Sequence, residues 1–279
     1  MNRRSFLKGT AAMGGLGLFT GLYTWQVEPF WLEFVKVKMP VKHLPDELVG
    51  KRVMQISDIH VSNRFDRGYL IDSFKEAQKM KPDYVVYTGD FVSYETEQQL
   101  EQLREVMAYA VKGERGTLGV LGNHDYGKYY TEPEVANNIV DILKDKGLEM
   151  LRNEQSEKEG LNFIGLDDYW GTNFHPEKVM NEINHAQPSI VLCHNPDVAD
   201  EPVWNNYQGW ILSGHTHGGQ CKPPFLDPPM LPVNNRRYTA GRIALEDSRT
   251  LYINRALGHL YQVRFNVRPE ITLFTLEKA

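Results

Sequence analysis

Five short apolar runs, each followed at once by residues of metal-binding types, constrain this 279-residue chain more than any other feature. The runs are rich in β-branched and aromatic side chains, which is typical of buried strands. Asp, Asn and His side chains follow them, and their oxygen and nitrogen atoms bind divalent cations. The residues concerned are Asp58, His60, Asp90, Asn123, His124, His194, His215 and His217. Each could lie in an ordinary surface turn, but their recurrence favours one shared site.

The stretch Gly122-Asn123-His124-Asp125 is where we expect the chemistry to take place. Glycine allows a tight turn after the apolar run 118–121, and the Asn123 carboxamide oxygen suits a hard or borderline cation. The His124 imidazole can donate a proton at physiological pH. Alone, the tetrapeptide is equally typical of a simple turn, so its interpretation depends on the other motifs.

In chain order the motifs read D-x-H, G-D, G-N-H-D, H and G-H-x-H. This pattern resembles the signature of the calcineurin-like metallophosphoesterases, and the similarity covers about residues 53–277. The resemblance implies an α/β fold, a four-layer α-β-β-α sandwich of two facing, mostly mixed β-sheets flanked by helices. Helical patterns between the apolar runs, such as Leu100, Leu103 and Met107, agree with an α/β chain. After Gly218 the strand-like segments 242–246, 250–253 and 271–276 follow one another without a helix, which predicts a second, more antiparallel sheet.

The resemblance also implies two divalent metal ions and divides the ligands between them. They are Asp58, His60 and His217 for one metal, Asn123, His194 and His215 for the other, and Asp90 as the bridge. We expect manganese, with iron, zinc and other metals as alternatives, because mixed oxygen and nitrogen ligands suit them all.

The function implied is that of a dinuclear-metal-dependent phosphoester hydrolase, and we expect a phosphodiesterase. A metal-bound hydroxide would attack the phosphorus in line, and His124 would protonate the leaving oxygen as general acid. The alternatives for His124 are a further metal ligand or a structural imidazole. Asp125 is the adjacent candidate for the carboxylate that holds His124, although an aspartate in a turn commonly accepts hydrogen bonds from backbone N–H groups.

Two alternative functions remain open. Segments 194–197, 214–220 and 263–271, together with the N-terminal leader, resemble an exported bacterial branch of the family, apart from Ala256, where glycine is expected. Some relatives in that branch cleave the pyrophosphate of UDP-2,3-diacylglucosamine in lipid A synthesis. A proline-rich segment, 223–232, either forms a lip for a lipid-bearing substrate or packs as a rigid loop on the core. The other alternative is a non-catalytic envelope protein that retains the fold.

The N-terminal segment resembles a twin-arginine export signal. Arg3, Arg4 and Lys8 precede a weakly hydrophobic stretch, 10–23, although a basic tail before a short core helix would look similar. We therefore divide the chain into a signal or retained membrane anchor, 1–27, and a single domain, 28–279. The stretch is short for a membrane span. The implied location is the periplasm or the extracytoplasmic face of the membrane, with the twin-arginine translocase as a partner.

Composition limits the remaining possibilities. The formal net charge of −5 gives no basic stripe for nucleic-acid binding, so we expect no nucleic-acid partner. Cys193 and Cys221 are the only cysteines, and a domain of this length buries enough core without disulfides. We expect free thiols and a monomer. We also expect a phosphoester substrate, which is lipid-linked if the proline-rich segment forms a lip.

Overall fold

The computed structural model describes residues 3–279, without the side chains of residues 5, 6 and 11. Residues 1 and 2 of the predicted leader, 1–27, and those three side chains lie outside the described part of the chain.

Among residues 3–279, the regular structure consists of five α-helices, twelve strands and short 3₁₀ turns. The helices are α1 (Arg3–Gln26), α2 (Arg67–Gln78), α3 (Gln98–Met107), α4 (Pro133–Asp145) and α5 (Glu177–Met180). The strands are β1 (Glu33–Val41), β2 (Arg52–Ile56), β3 (Tyr84–Thr88), β4 (Gly116–Val120), β5 (Glu149–Met150), β6 (Glu154–Lys158), β7 (Leu161–Gly165), β8 (Ser189–Leu192), β9 (Trp210–Ser213), β10 (Gly241–Ala244), β11 (Thr250–Ile253) and β12 (Glu270–Lys278). Short 3₁₀ turns at Asn123–Tyr126 and His217–Gly219 carry several of the predicted site residues.

The strands form two six-stranded sheets. The first has the order β1-β12-β2-β3-β4-β5, and the second has the order β10-β11-β9-β8-β7-β6. Their inner faces share one apolar core, in which Leu118 and Val86 of the first sheet pack with Leu212 and Leu192 of the second. Helices α2, α3 and α4 cover the outer face of the first sheet, and α5 covers part of the outer face of the second. The expected four-layer sandwich is confirmed.

The prediction of which sheet the last strand joins is wrong. We expected 271–276 in the second sheet, but β12 lies in the first, parallel to β1 and antiparallel to β2. The second sheet is mostly parallel, and only its edge pairs, β10 with β11 and β6 with β7, are antiparallel. The apolar pattern of one strand fixes which face is buried but does not specify which neighbour it joins.

The parallel strands in the middle of each sheet determine where the site forms. Strands β2, β3 and β4 run parallel in the first sheet, and β7, β8 and β9 run parallel in the second. The carboxyl ends of parallel strands lie at one edge of a sheet, and the loops that leave them meet there. The loops after β2, β3, β4, β8 and β9 contain all the predicted metal ligands.

Helix α1 precedes this body and is largely exposed. Its carboxyl end contacts the domain, because the Arg264 N–H donates to the Thr24 carbonyl at 3.0 Å. Phe30 and Phe34 pack against the core, whereas Trp25 and Trp31 are about half exposed. Within residues 3–279, no helix combines the length and the apolar character needed to cross a bilayer. Cys193 and Cys221 are free, as expected.

Candidate metal centre

Two groups of buried carboxylates and imidazoles lie where the loops of the two sheets meet. The first contains Asp58, His60 and His217, and the second contains Asp90, His194 and His215. In each group the candidate ligand atoms lie within 4.8 Å of one another. The structure thus brings six of the seven predicted ligands into two groups, and the assignment of each ligand to a particular metal stays a prediction.

The first group is held by residues from both sheets. Nε2 of His217 lies 3.2 Å from Oδ1 of Asp58 and 2.9 Å from Nε2 of His60. The other ring nitrogen of His60, Nδ1, lies 3.0 Å from the Ser93 hydroxyl oxygen. That contact fixes the ring so that Nε2 points toward Asp58 and His217. A hydrogen bond from the second ring nitrogen is typical of metal-binding histidines.

In the second group, carbonyl oxygens fix two imidazoles. Nδ1 of His194 donates to the Thr88 carbonyl at 2.7 Å, and Nε2 of His215 donates to the Pro232 carbonyl at 2.8 Å. A carbonyl can only accept a hydrogen bond, so these nitrogens carry the protons. The opposite nitrogens, His194 Nε2 and His215 Nδ1, face each other at 3.3 Å, and each can bind a cation once it is unprotonated.

Asp90 lies between the two groups. Its Oδ2 is 3.2 Å from His194 Nε2 and 3.5 Å from His60 Nε2. Its Oδ1 accepts a hydrogen bond from the His124 backbone N–H at 2.9 Å. One carboxylate is therefore shared between both groups, which is the position a bridging ligand requires.

The charges in this region favour a bound cation. Burial acts to raise the pKa of Asp58, but the imidazoles of His194 and His217 lower it to about 2. Burial acts to lower the pKa of His194, but the carboxylates of Asp90 and Asp58 raise it well above its ordinary value. Both carboxylates are thus buried anions that attract positive charge into the space between the imidazoles.

The remaining donors also fit a metal centre. Oδ1 of Asn123 is buried and has no hydrogen-bond partner among residues 3–279. A buried carboxamide oxygen without a partner is costly unless an ion or water satisfies it. Asn123 and Asp90 line the same cavity, so the Asn123 oxygen is available to a cation there. The residues present therefore fit two divalent ions bound by mixed oxygen and nitrogen ligands.

The backbone at the site is strained. Asp58, His60, Asp90, His215 and His217 all have φ between 47° and 71°, in the left-handed region. Each such residue other than glycine costs about 1–3 kcal/mol and persists only where its surroundings enforce it. Close backbone approach adds a further constraint, because a Cβ at Gly122 would overlap the Asp90 carboxylate and one at Gly214 would overlap Asp58.

A family model for calcineurin-like phosphoesterases matches residues 51–219, which is more than half of the chain. The chain belongs to this family. A calcineurin-like phosphoesterase with two candidate metal sites is a metal-dependent phosphoester hydrolase, and the expected enzyme class is confirmed.

Sequence similarity to other proteins covers almost the whole length of this phosphoesterase. It is 30% identical to the phosphodiesterase YaeI of Escherichia coli, with 99% of each chain covered. It is 32% identical to the uncharacterized metallophosphoesterase YkuE of Bacillus subtilis, over 100% of this chain and 99% of that one. It is 26% identical to the UDP-2,3-diacylglucosamine pyrophosphatase LpxG of Chlamydia trachomatis, with 92% of each covered.

His124 lies beside the metal-binding groups of this phosphoesterase without belonging to either. Its ring is 5.2 Å from that of His60 and 5.2 Å from that of Tyr130, centroid to centroid. The side chain is only partly buried and faces the cavity. The imidazole is therefore accessible to a bound substrate, and its role as general acid stays a prediction.

The expected pairing of Asp125 with His124 is not what the structure shows. Oδ1 of Asp125 accepts from the backbone N–H groups of Phe91 at 2.8 Å and Val92 at 3.2 Å, and Oδ2 accepts from Gly122 at 2.9 Å. The carboxylate is thus directed at the backbone, the alternative that turn chemistry offers. It joins the loop after β3 to the loop after β4 and so positions Asp90 and Asn123.

Two further aspartates, Asp167 and Asp168, were not among the predicted site residues. They follow β7 in the same way that the predicted ligands follow their strands. Asp167 pairs with Arg152 at 2.8 Å. Burial raises the pKa of Asp168 to about 7, and its Oδ2 has no partner within the described chain. The signal was present, since the apolar run 163–166 precedes the pair, but no histidine accompanies it.

The role of Asp125 as a structural acceptor predicts the effect of replacing it with asparagine. An amide offers one acceptor oxygen in place of two, so at least one backbone N–H loses its partner. We expect Asp125→Asn to lower the free energy of unfolding by about 1–3 kcal/mol, measured by urea denaturation.

Asp66→Asn is the matched control for this experiment. Asp66 accepts from the Gly68 N–H at the start of α2 through a single oxygen, and asparagine serves equally well there. Equal losses in the two variants would contradict the role assigned to Asp125.

Proposed function

We propose that this protein is a phosphodiesterase that uses two manganese ions, with the predicted ligands in their expected roles. The observation that carries the proposal is the single carboxylate, Asp90, shared between two buried groups of imidazoles. Asp58, His60 and His217 would hold one ion, and Asn123, His194 and His215 would hold the other. The name of the relative YaeI, a phosphodiesterase, supports the same substrate class.

Bound metal ions would neutralise the charge of the phosphoryl group and lower the pKa of a water molecule. The chain itself supplies orientation and a proton. His124 faces the cavity next to Asp90 and Asn123, so its ring can donate to a leaving oxygen there. Burial lowers the pKa of the free imidazole, and an anionic phosphoryl group bound beside it would raise that pKa again.

A metal-by-substrate panel tests the proposal. We expect the manganese-loaded protein to hydrolyse bis-p-nitrophenyl phosphate and to carry two ions per chain, and Asp90→Ala to lose both the ions and the activity. His185→Ala, an exposed histidine, should change neither. Metal-loaded protein that fails on diesters, monoesters and UDP-linked lipids would instead support the non-catalytic alternative.

His124→Ala should separate chemistry from metal binding. We expect unchanged metal content and a kcat lower by about 10²–10⁴ on a diester with two alkyl arms, because an alkoxide leaving group needs a proton. On bis-p-nitrophenyl phosphate the loss should be about tenfold or less, because nitrophenolate leaves without one. Equal losses on both substrates would exclude the role of general acid.

A second candidate is the hydrolysis of a lipid-linked pyrophosphate such as UDP-2,3-diacylglucosamine. One specific observation favours it, since apolar side chains project from the rim of the cavity. Met230 is 79% exposed and Tyr261 is 67% exposed, and both line the cavity. Phe225 precedes Met230 on the proline-rich loop and is fully exposed. The relative LpxG, named as a pyrophosphatase for that lipid, supports this alternative.

A double variant, Phe225→Ser with Met230→Ser, tests whether the rim binds acyl chains. We expect kcat/KM for a long-chain diester to fall at least about tenfold, because two exposed apolar contacts are lost, with no change on bis-p-nitrophenyl phosphate. Val49→Ser, at an exposed apolar residue that does not line the cavity, is the control. Unchanged activity on both substrates would remove the lip hypothesis.

We further propose that residues 1–27 are a twin-arginine export signal or retained anchor and that 28–279 is one domain at the extracytoplasmic face. The basic residues Arg3, Arg4 and Lys8 and the exposed apolar surface of α1 support this location. In a bacterial host, replacing both arginines by lysine should abolish export of the chain. Cell fractionation measures that export. Undiminished export would contradict the proposal.

A further inference from the structure

An aromatic surface adjoins the metal-binding groups on one wall of the cavity. The cavity has a volume of about 540 Å³, and the rings of Tyr130 and Trp170 line it together with His124 and His215. The two aromatic rings lie 6.1 Å apart, centroid to centroid, and their planes differ by only 25°. Both rings are thus nearly parallel and border the cavity, and the catalytic roles assigned above do not use this aromatic face.

Contacts on both sides hold this face next to the reaction centre. The Trp170 ring lies 4.6 Å from that of His215 at 84°, and the Tyr130 ring lies 5.2 Å from that of His124 at 76°. The pair thus extends from a proposed metal ligand to the proposed general acid. A group placed on it would be close to the oxygen that His124 protonates.

A buried carboxylate binds the backbone of the turn that contains Trp170 and Gly171. Oδ1 of Asp168 accepts from the backbone N–H groups of Trp170 at 2.9 Å and Gly171 at 3.0 Å. The turn also packs closely on the Tyr126 ring, because a Cβ at Gly171 would overlap that ring. Despite this anchoring, the Trp170 side chain is 37% exposed, so a rigid backbone presents a large aromatic surface to the cavity.

We propose that Tyr130 and Trp170 form a stacking subsite for a planar ring on the leaving arm of the substrate, an aryl group or a nucleobase. The assignment rests on the proposed phosphodiesterase function, since His124 identifies the side of the leaving arm. Aromatic faces bind planar rings more tightly than aliphatic groups of equal size. An aliphatic wall would not prefer the planar ring. Met230 and Leu231 line the same cavity and offer aliphatic contacts there.

Binding of paired methylphosphinates to the manganese-loaded full chain, measured by calorimetry, tests the subsite without turnover. In each ligand a methylene group replaces the oxygen of the leaving arm, so phosphorus has no ester bond that could break. We expect benzyl(methyl)phosphinate to bind about fivefold tighter than cyclohexylmethyl(methyl)phosphinate. The methylphosphinate whose methylene group replaces the 5′-oxygen of uridine should bind about tenfold tighter than the corresponding ribose ligand.

Substitutions at Trp170 assign these preferences to the subsite. Trp170→Leu should reduce both ratios to about one, Trp170→Phe should retain most of them, and Trp25→Leu, an exposed tryptophan outside the cavity, should leave them unchanged. Circular dichroism checks that the variants fold. A Trp170-dependent ratio in the uridine pair alone would identify a nucleobase, and one in the benzyl pair alone an aryl group.

Two results would overturn the subsite. One is native protein that binds the cyclohexyl and ribose ligands as tightly as their planar partners, and the other is preferences that Trp170→Leu leaves intact. Failure of the proposed function is a separate result, because it appears as absent hydrolysis of bis-p-nitrophenyl phosphate whether or not the phosphinates bind.

Discussion

The structure depends on a concentration of buried charge that favours a bound cation. Asp58 and Asp90 are almost completely inaccessible to solvent, and imidazole nitrogens lie next to their carboxylates. Burying a carboxylate costs several kcal/mol unless opposite charge and hydrogen bonds offset it. The left-handed backbone at five of the seven proposed ligands adds strain of the same order. Such an arrangement is understandable as a preformed binding site, in which metal binding recovers the free energy that folding alone does not.

The double sheet explains how ligands from distant parts of the sequence meet. Asp58 and Asp90 leave parallel strands of the first sheet, while His194 and His215 leave parallel strands of the second. The shared apolar core packs the two sheets face to face and brings their carboxyl edges together. Asp125 then joins the loops after β3 and β4 through backbone hydrogen bonds, so the fold positions ligands with groups that never touch a metal.

Much of this could be predicted from the sequence, because a metal site needs particular side chains directly after buried strands. The ligand groups follow from that pattern and from the family resemblance, and even the expectation of glycine at 256 has a physical counterpart, since Ala256 has φ of 72°. The direction of the Asp125 side chain, the sheet joined by β12 and the position of Trp170 could not be predicted. Each depends on a tertiary partner far along the chain, which local periodicity does not identify.

Anomalous diffraction from crystals of the manganese-loaded protein would show whether two ions lie on either side of the Asp90 carboxylate. The account predicts two anomalous peaks about 3.5–4 Å apart, one on either side of Asp90, with Asn123, His194 and His215 around one and Asp58, His60 and His217 around the other. A single peak away from Asp90, or no peak within reach of these side chains, would contradict it.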